Sequence, residues 1–143
     1  MGAWVLARDG RSWPLIWRPR LLSPDPTTVL ERVRAACLAQ AESDETISHG
    51  IPAFRAAGKM FAYFRHNHHG DDMTVVCVKT TGRDEQELLI EADPDLYSWP
   101  AYLGPSGWIA LNLAPADTDW THVAERLRTS WRLAAPKRLQ VEV

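Results

Sequence analysis

No apolar run in the chain approaches the roughly 20 residues that a bilayer-spanning helix needs, which excludes a helical membrane anchor. Its 2 cysteines, Cys37 and Cys77, are too few for a disulfide framework and lack metal-ligand spacing. Lysine is scarce, occurring only at Lys59, Lys79 and Lys137, while arginine supplies the other cations. That preference reads as base-composition bias of the coding sequence rather than as a function. Neither sign of charge dominates. With a formal net charge of −2, any phosphate-binding surface must be local, because the chain as a whole does not supply one. A Gly-rich phosphate loop, a dinucleotide fingerprint and a metalloprotease helix are all missing. Ser48-His49 are adjacent and cannot readily form a nucleophile–base hydrogen bond, and Ser106 lies in Gly-Pro-Ser-Gly, without the Gly-x-Ser-x-Gly elbow. The sequence therefore points to a non-enzymatic protein, with no cofactor and no metal.

What remains is an ordinary globular composition. The 143 residues are 45% apolar and 24% charged, enough for one hydrophobic core. Met1 to Arg20 mixes Trp4, Trp13 and Trp17 with Arg8, Arg11, Arg18 and Arg20. It has no signal-type apolar stretch and no small-residue cleavage site, so a cytoplasmic location is expected. Residues 1–22 show no helical or strand period and read as an N-terminal extension, flexible or preceding the true start; 23–143 read as a single domain.

The domain opens at Asp25-Pro26, an N-cap followed by proline at the first helical position. Val29, Val33, Cys37 and Ala41 recur every four residues along this helix, and Ser43, Asp44 and Glu45 return the chain to a polar loop. Three strands follow: Ile51 to Arg55, Met60 to His66, and Met73 to Val78, the last apolar on both faces and hence central. Thr81 and Asp84 suit a capping box for a second helix, Arg83 to Ala92, with Leu88, Leu89 and Ala92 inward. After the stop at Asp93-Pro94-Asp95 comes a turn-rich aromatic segment, then a strand from Trp108 to Leu113. Trp120, Val123, Ala124, Leu127, Trp131 and Ala134 mark the apolar stripe of a last helix, capped near Asp117 to Asp119 and closed by Pro136. The expectation is an α+β two-layer sandwich of order α-βββ-α-ββ-α, its antiparallel sheet covered by helices on one face.

Three segments carry a resemblance. The first is His49-Gly50-Ile51-Pro52-Ala53-Phe54 with Gly58-Lys59-Met60-Phe61-Ala62. The second is Ala92-Asp93-Pro94, then Trp99-Pro100-Ala101-Tyr102-Leu103-Gly104 and Gly107-Trp108-Ile109. The third runs from Ser130-Trp131-Arg132-Leu133 to Ala134-Ala135-Pro136-Lys137-Arg138-Leu139. Their order and spacing resemble MmcQ/YjbR-like proteins over Pro26 to Leu139. The resemblance implies a fold like that of type III secretion chaperones, and it implies DNA binding, the label commonly given to members.

Three groups of residues are candidates for a functional site. Arg128, Arg132, Lys137 and Arg138, assisted by Lys59 and Lys79 at the sheet's rim, could hold phosphates, with Tyr102 and Trp108 stacking on bases at about 1–3 kcal/mol each. Such binding to DNA would be strongly salt-dependent. The same cations equally complement a helix C-terminus, and the same rings suit a core or a homodimer interface. Trp108, on the strand face opposite Ile109, should have a ring such as Phe61 or Tyr63 beside it. An alternative is a small-molecule or peptide pocket under the Trp99 to Trp108 segment, with His49, Lys79, Trp99, Tyr102 and Trp108 around it. The third group, His66, His68, His69, Asp71 and Asp72, looks metal-like but falls in a hairpin, where a solvated polar loop is expected.

Overall fold

The computed structural model describes residues 24–140 and, as backbone alone, two short paired strands, β1 (Trp4–Leu6) and β2 (Ser12–Pro14). Three residues per strand are too few to show a period-two pattern, which is why the sequence hid them. The rest of the expected extension lies outside the described residues.

Helix α1 (Pro26–Leu38) starts where Asp25 accepts from the Thr27 N–H at 2.7 Å, and buries Val29, Val33 and Cys37. Four strands follow: β3 (Ser43–Ser48), β4 (Ile51–Ala56), β5 (Lys59–His66) and β6 (Thr74–Lys79). Then come α2 (Arg83–Ala92), β7 (Tyr97–Ser98), β8 (Trp108–Asn112) and α3 (Trp120–Ala134), the last capped by Asp119. The sheet is antiparallel throughout, in the order β3-β4-β5-β6-β8-β7. The architecture is α+β with three helices packed on the sheet, as the sequence pattern implies, but with one strand more: α-ββββ-α-ββ-α.

That extra strand, β3, includes Ser43, Asp44 and Glu45, expected as loop. It is an edge strand held by charge rather than by apolar alternation. Glu45 accepts both from Arg34 Nε, at 2.5 Å, and from its Nη2, at 2.9 Å, on the helix side, while Asp44 pairs Arg55 on the other. Arg34 and Arg55 in turn hold the two carboxyls below their ordinary range.

The core between sheet and helices contains Phe54, Phe61, Val76, Ile109, Leu111 and Leu127, all fully buried. Phe61 is here, not beside Trp108. Phe54 pairs Ala62 and Arg55 pairs Met60, so Phe61 is the extra residue of a bulge and leaves the strict alternation. Ser130 joins α3 to the sheet. Its hydroxyl donates to the Phe61 carbonyl and accepts from the Lys79 N–H at 2.8 Å.

Helix α2 departs from expectation in its cap and its phase. Gly82, at φ 143, is the N-cap, and Glu85, not Asp84, reaches back to accept from the Thr81 N–H at 2.9 Å. Leu88 is 66% exposed; the inward face is Gln86 with Leu89 and Ile90. The Gln86 side-chain amide donates to the carbonyls of Gly104 (2.8 Å) and Trp108 (2.7 Å), a buried pairing that outweighs the leucine's preference for the interior. It ties α2 to the segment that crosses the sheet's other face.

Two outcomes follow. Gln86→Leu keeps the volume but removes both donors, and should lower stability by about 1–3 kcal/mol in urea unfolding with an unchanged slope; an unchanged midpoint would show that the tie carries no weight. Both cysteines are buried, Cys77 with its thiol pushed up to about 11 by burial and Cys37 pushed higher by burial and the Glu45 charge. Iodoacetamide at mildly alkaline pH should therefore modify neither thiol in the folded protein and both in urea.

Candidate functional site

Strand alternation gives the sheet a second face, without helices. Across it lie Ser48 and Thr46 of β3, Ile51 and Ala53 of β4, Tyr63 and Arg65 of β5, Val75 and Cys77 of β6, and Trp108 and Ala110 of β8, as their pairing requires. Val75, Cys77, Trp108 and Ala110 form a small second core, with Met60, Tyr63 and Leu103 packed against it. The Tyr63 and Trp108 rings are 5.0 Å apart. The segment between β7 and β8 covers this core but stops short of β4 and β5.

Where the cover ends, a cleft of about 450 Å³ opens. Its floor is Ile51, Tyr63 and Arg65; its walls are Ser48 and His49 of the β3–β4 turn, His68 and His69 of the β5–β6 hairpin, and Tyr102 and Leu103 of the cover. The size suits a small organic molecule. Three wall residues, His49, His69 and Tyr102, hold positive φ of 51°, 53° and 67°, an arrangement that side chains other than glycine adopt only at a cost. His69 and Tyr102 meet edge to face at 5.9 Å, so the two rims touch across the opening.

The charged groups of the lining are all cations or imidazoles. Arg65 is only 7% exposed, and its Nε–H has no hydrogen-bond partner among the described residues. His68 Nε2 is likewise shut off and without a partner among the described residues. Burial, then the neighbouring Arg65 and His69, pull the His68 pKa below its usual value, with Asp71 opposing.

The residues singled out from sequence do not gather into one surface. Tyr102, 79% exposed, and His49 line the cleft. Trp108 is only 7% exposed, beneath the cover, and Lys79 holds its ammonium 5.9 Å from that ring's centroid. Trp99 sits under the Arg83 guanidinium at 5.7 Å, away from the opening. Arg128, Arg132 and Lys137 are exposed on or just past α3, which packs on the opposite face of the sheet from Trp108. Arg138 is engaged by Glu42 through two bonds of 2.6 and 2.8 Å. Lys59 is exposed at the start of β5.

Arg65 was not picked out by sequence reasoning; Tyr63 was expected only as a ring beside Trp108, where it does lie, and His68 only as part of a solvated polar hairpin. The available signal was β5 itself: Ala62 and Phe64 face the helices, so Tyr63 and Arg65 must share the other side, an arginine within an aromatic strand. The hairpin histidines separate: His66 bonds Thr74 at 2.8 Å, while His68 and His69 turn to the cleft. Asp71 accepts from the Met73 N–H at 2.9 Å, so its carboxylate serves the turn.

No helix among the described residues is long and apolar enough to cross a membrane. A search of curated proteins finds no match. Among solved structures, the chain is similar to the crystal structure of Deinococcus radiodurans protein DR2400, a DUF419-domain protein, with a TM-score of 0.61 and 21% identity over 81% of this chain and 91% of that one. That likeness is one of fold. The sequence profile of the YjbR family matches residues 38–133, which takes in every strand of the main sheet and every residue around the cleft, and the chain belongs to that family.

Proposed function

We propose that this YjbR-family protein is a non-enzymatic binding protein whose working surface is the helix-free face of the sheet, where the cleft takes up a small organic molecule. The observation that carries the reading is the cleft's construction. It is concave, with Ile51 and Tyr63 on its floor, rims held in costly backbone conformations, and a buried arginine whose Nε–H has no partner among the described residues. Convergent polar groups in an otherwise apolar hollow are the usual form of a small-molecule site.

DNA binding is the second reading. Arg128, Arg132 and Lys137 are exposed and have no acidic partner among the described residues, which favours a phosphate-contacting strip at the end of α3. The burial of Trp108 and the engagement of Arg138 by Glu42 remove two of the groups that strip would need.

Thermal unfolding in the presence of small organic acids, organic phosphates, neutral aromatics and duplex DNA separates the two. A cleft ligand at a hundredfold excess over its Kd stabilises by about 2.7 kcal/mol, a rise in Tm of roughly 10 °C for a chain of this size. Leu103→Arg, which fills the cleft, should abolish the rise. A shift given only by DNA, retained in Leu103→Arg and lost in Arg128→Glu/Arg132→Glu, would overturn the proposal.

A further inference from the structure

Arg65 differs from the other well-placed arginines of the fold. Arg34, Arg55 and Arg138 each meet a carboxylate at 2.5 or 2.6 Å, at or near the surface. Arg65, 7% exposed, is the most buried arginine among the described residues and meets none; Arg126, which also has unpartnered buried nitrogens, keeps the Glu85 carboxylate at 3.9 Å. A guanidinium cannot shed its proton, so it cannot escape desolvation by becoming neutral. A buried, unpaired charge is among the costliest features a fold can keep. Here it lies on the floor of an open cleft, with a second shielded nitrogen, His68 Nε2, on the wall and no carboxylate in the lining.

We propose that Arg65 and His68 form an anion seat in this cleft, which takes the phosphate or carboxylate end of a ligand whose apolar body lies against Ile51, Tyr63 and Leu103. This rests on the cleft reading and specifies its ligand class. Arg65 supplies a planar set of donors matched to two oxygens of either anion. His68 supplies a donor whose charge follows the ligand. With the cleft free, burial and the adjacent Arg65 and His69 favour the neutral imidazole, while Asp71 opposes them. A bound anion reverses the sign of its surroundings and draws a proton onto the ring, so binding strengthens as pH falls. The other titratable groups that line the same space are His49, His69, Tyr63 and Tyr102.

For the free protein the sign runs the other way. A histidine whose pKa is depressed by folding binds its proton more readily in the unfolded chain. Its contribution to stability is therefore present above about pH 6.5 and is lost as pH falls through the depressed folded value.

The test is calorimetric titration of the full chain with benzoate, phenyl phosphate and the neutral benzyl alcohol. Benzoate remains ionised between about pH 6 and 8, so any pH dependence belongs to the protein. The seat predicts that both anions bind at least about tenfold more tightly than benzyl alcohol. It also predicts that Arg65→Gln erases the difference while Arg65→Lys, which keeps the charge, restores part of it. Benzoate affinity should rise from pH 8 to pH 6 with proton uptake, and most of that slope should vanish in His68→Gln. Preference for phenyl phosphate assigns a phosphate ligand, and preference for benzoate a carboxylate; either supports the seat. Equal binding of benzyl alcohol and benzoate by the unaltered protein overturns it without recourse to any variant. If both are then lost in Leu103→Arg, the cleft stands and only the anion seat falls. Failure of all three probes to bind would count against both.

Discussion

The structure depends on the alternation of side chains along β5 beyond its Phe61 bulge and along β6, which commits neighbouring residues to opposite faces of one sheet. Ala62 and Phe64 go under the helices, and Tyr63 and Arg65 go to the other side. Three helices are enough to cover one face of a six-stranded sheet. The second face has only the chain between β7 and β8, tied down by Gln86 through two buried hydrogen bonds. That cover packs on the cluster of Trp108 and Cys77, and Tyr102 at its end meets His69 of the β5–β6 hairpin. The uncovered remainder, walled by a turn and a hairpin that the sheet must have anyway, is the cleft.

Electrostatics sharpens the contrast between the two faces. The chain carries slightly more acid than base, and most of its well-placed arginines are spent on carboxylates: Arg34 on Glu31 and Glu45, Arg55 on Asp44, Arg83 on Glu87, Arg138 on Glu42. These are largely solvent-exposed pairs of small individual worth, which fix the edge strand and the C-terminal turn rather than stabilise the core. What they leave unpaired, besides the exposed cations at the end of α3, is the Arg65 charge in a sheltered hollow, beside His68 and His69. Net charge, averaged over the chain, conceals it.

The sequence made legible whatever rests on apolar periodicity and capping chemistry. β6, apolar at every position from Val75 to Val78, is central and buried on both faces, and Asp25 and Asp119 cap their helices. Val123, Leu127, Trp131 and Ala134 are the buried stripe of α3, although Ala124, placed in that stripe from sequence, is exposed. β3 was illegible because ion pairs take the place of an apolar pattern, and the phase of α2 because a glutamine with two carbonyl partners displaces a leucine. The Phe61 bulge has no signature in a single strand. Of the site, His49 and Tyr102 were within reach, as residues of turns beside aromatic segments. His68 stood out only as a hairpin histidine expected to face solvent, and Arg65 not at all, because their importance lies in what they fail to contact, and an unpaired group has no pattern in sequence.

The central claim is that the helix-free face, not the basic end of α3, is where this protein binds its ligand. Amide and arginine Nε–H chemical shifts, followed by NMR as phenyl phosphate is added, test it directly. The account predicts shifts that saturate together at Ile51, Tyr63, Arg65, His68 and Tyr102, with the Arg65 Nε–H moving furthest. Shifts concentrated at Arg128, Arg132 and Lys137, with Arg65 unmoved, would contradict it.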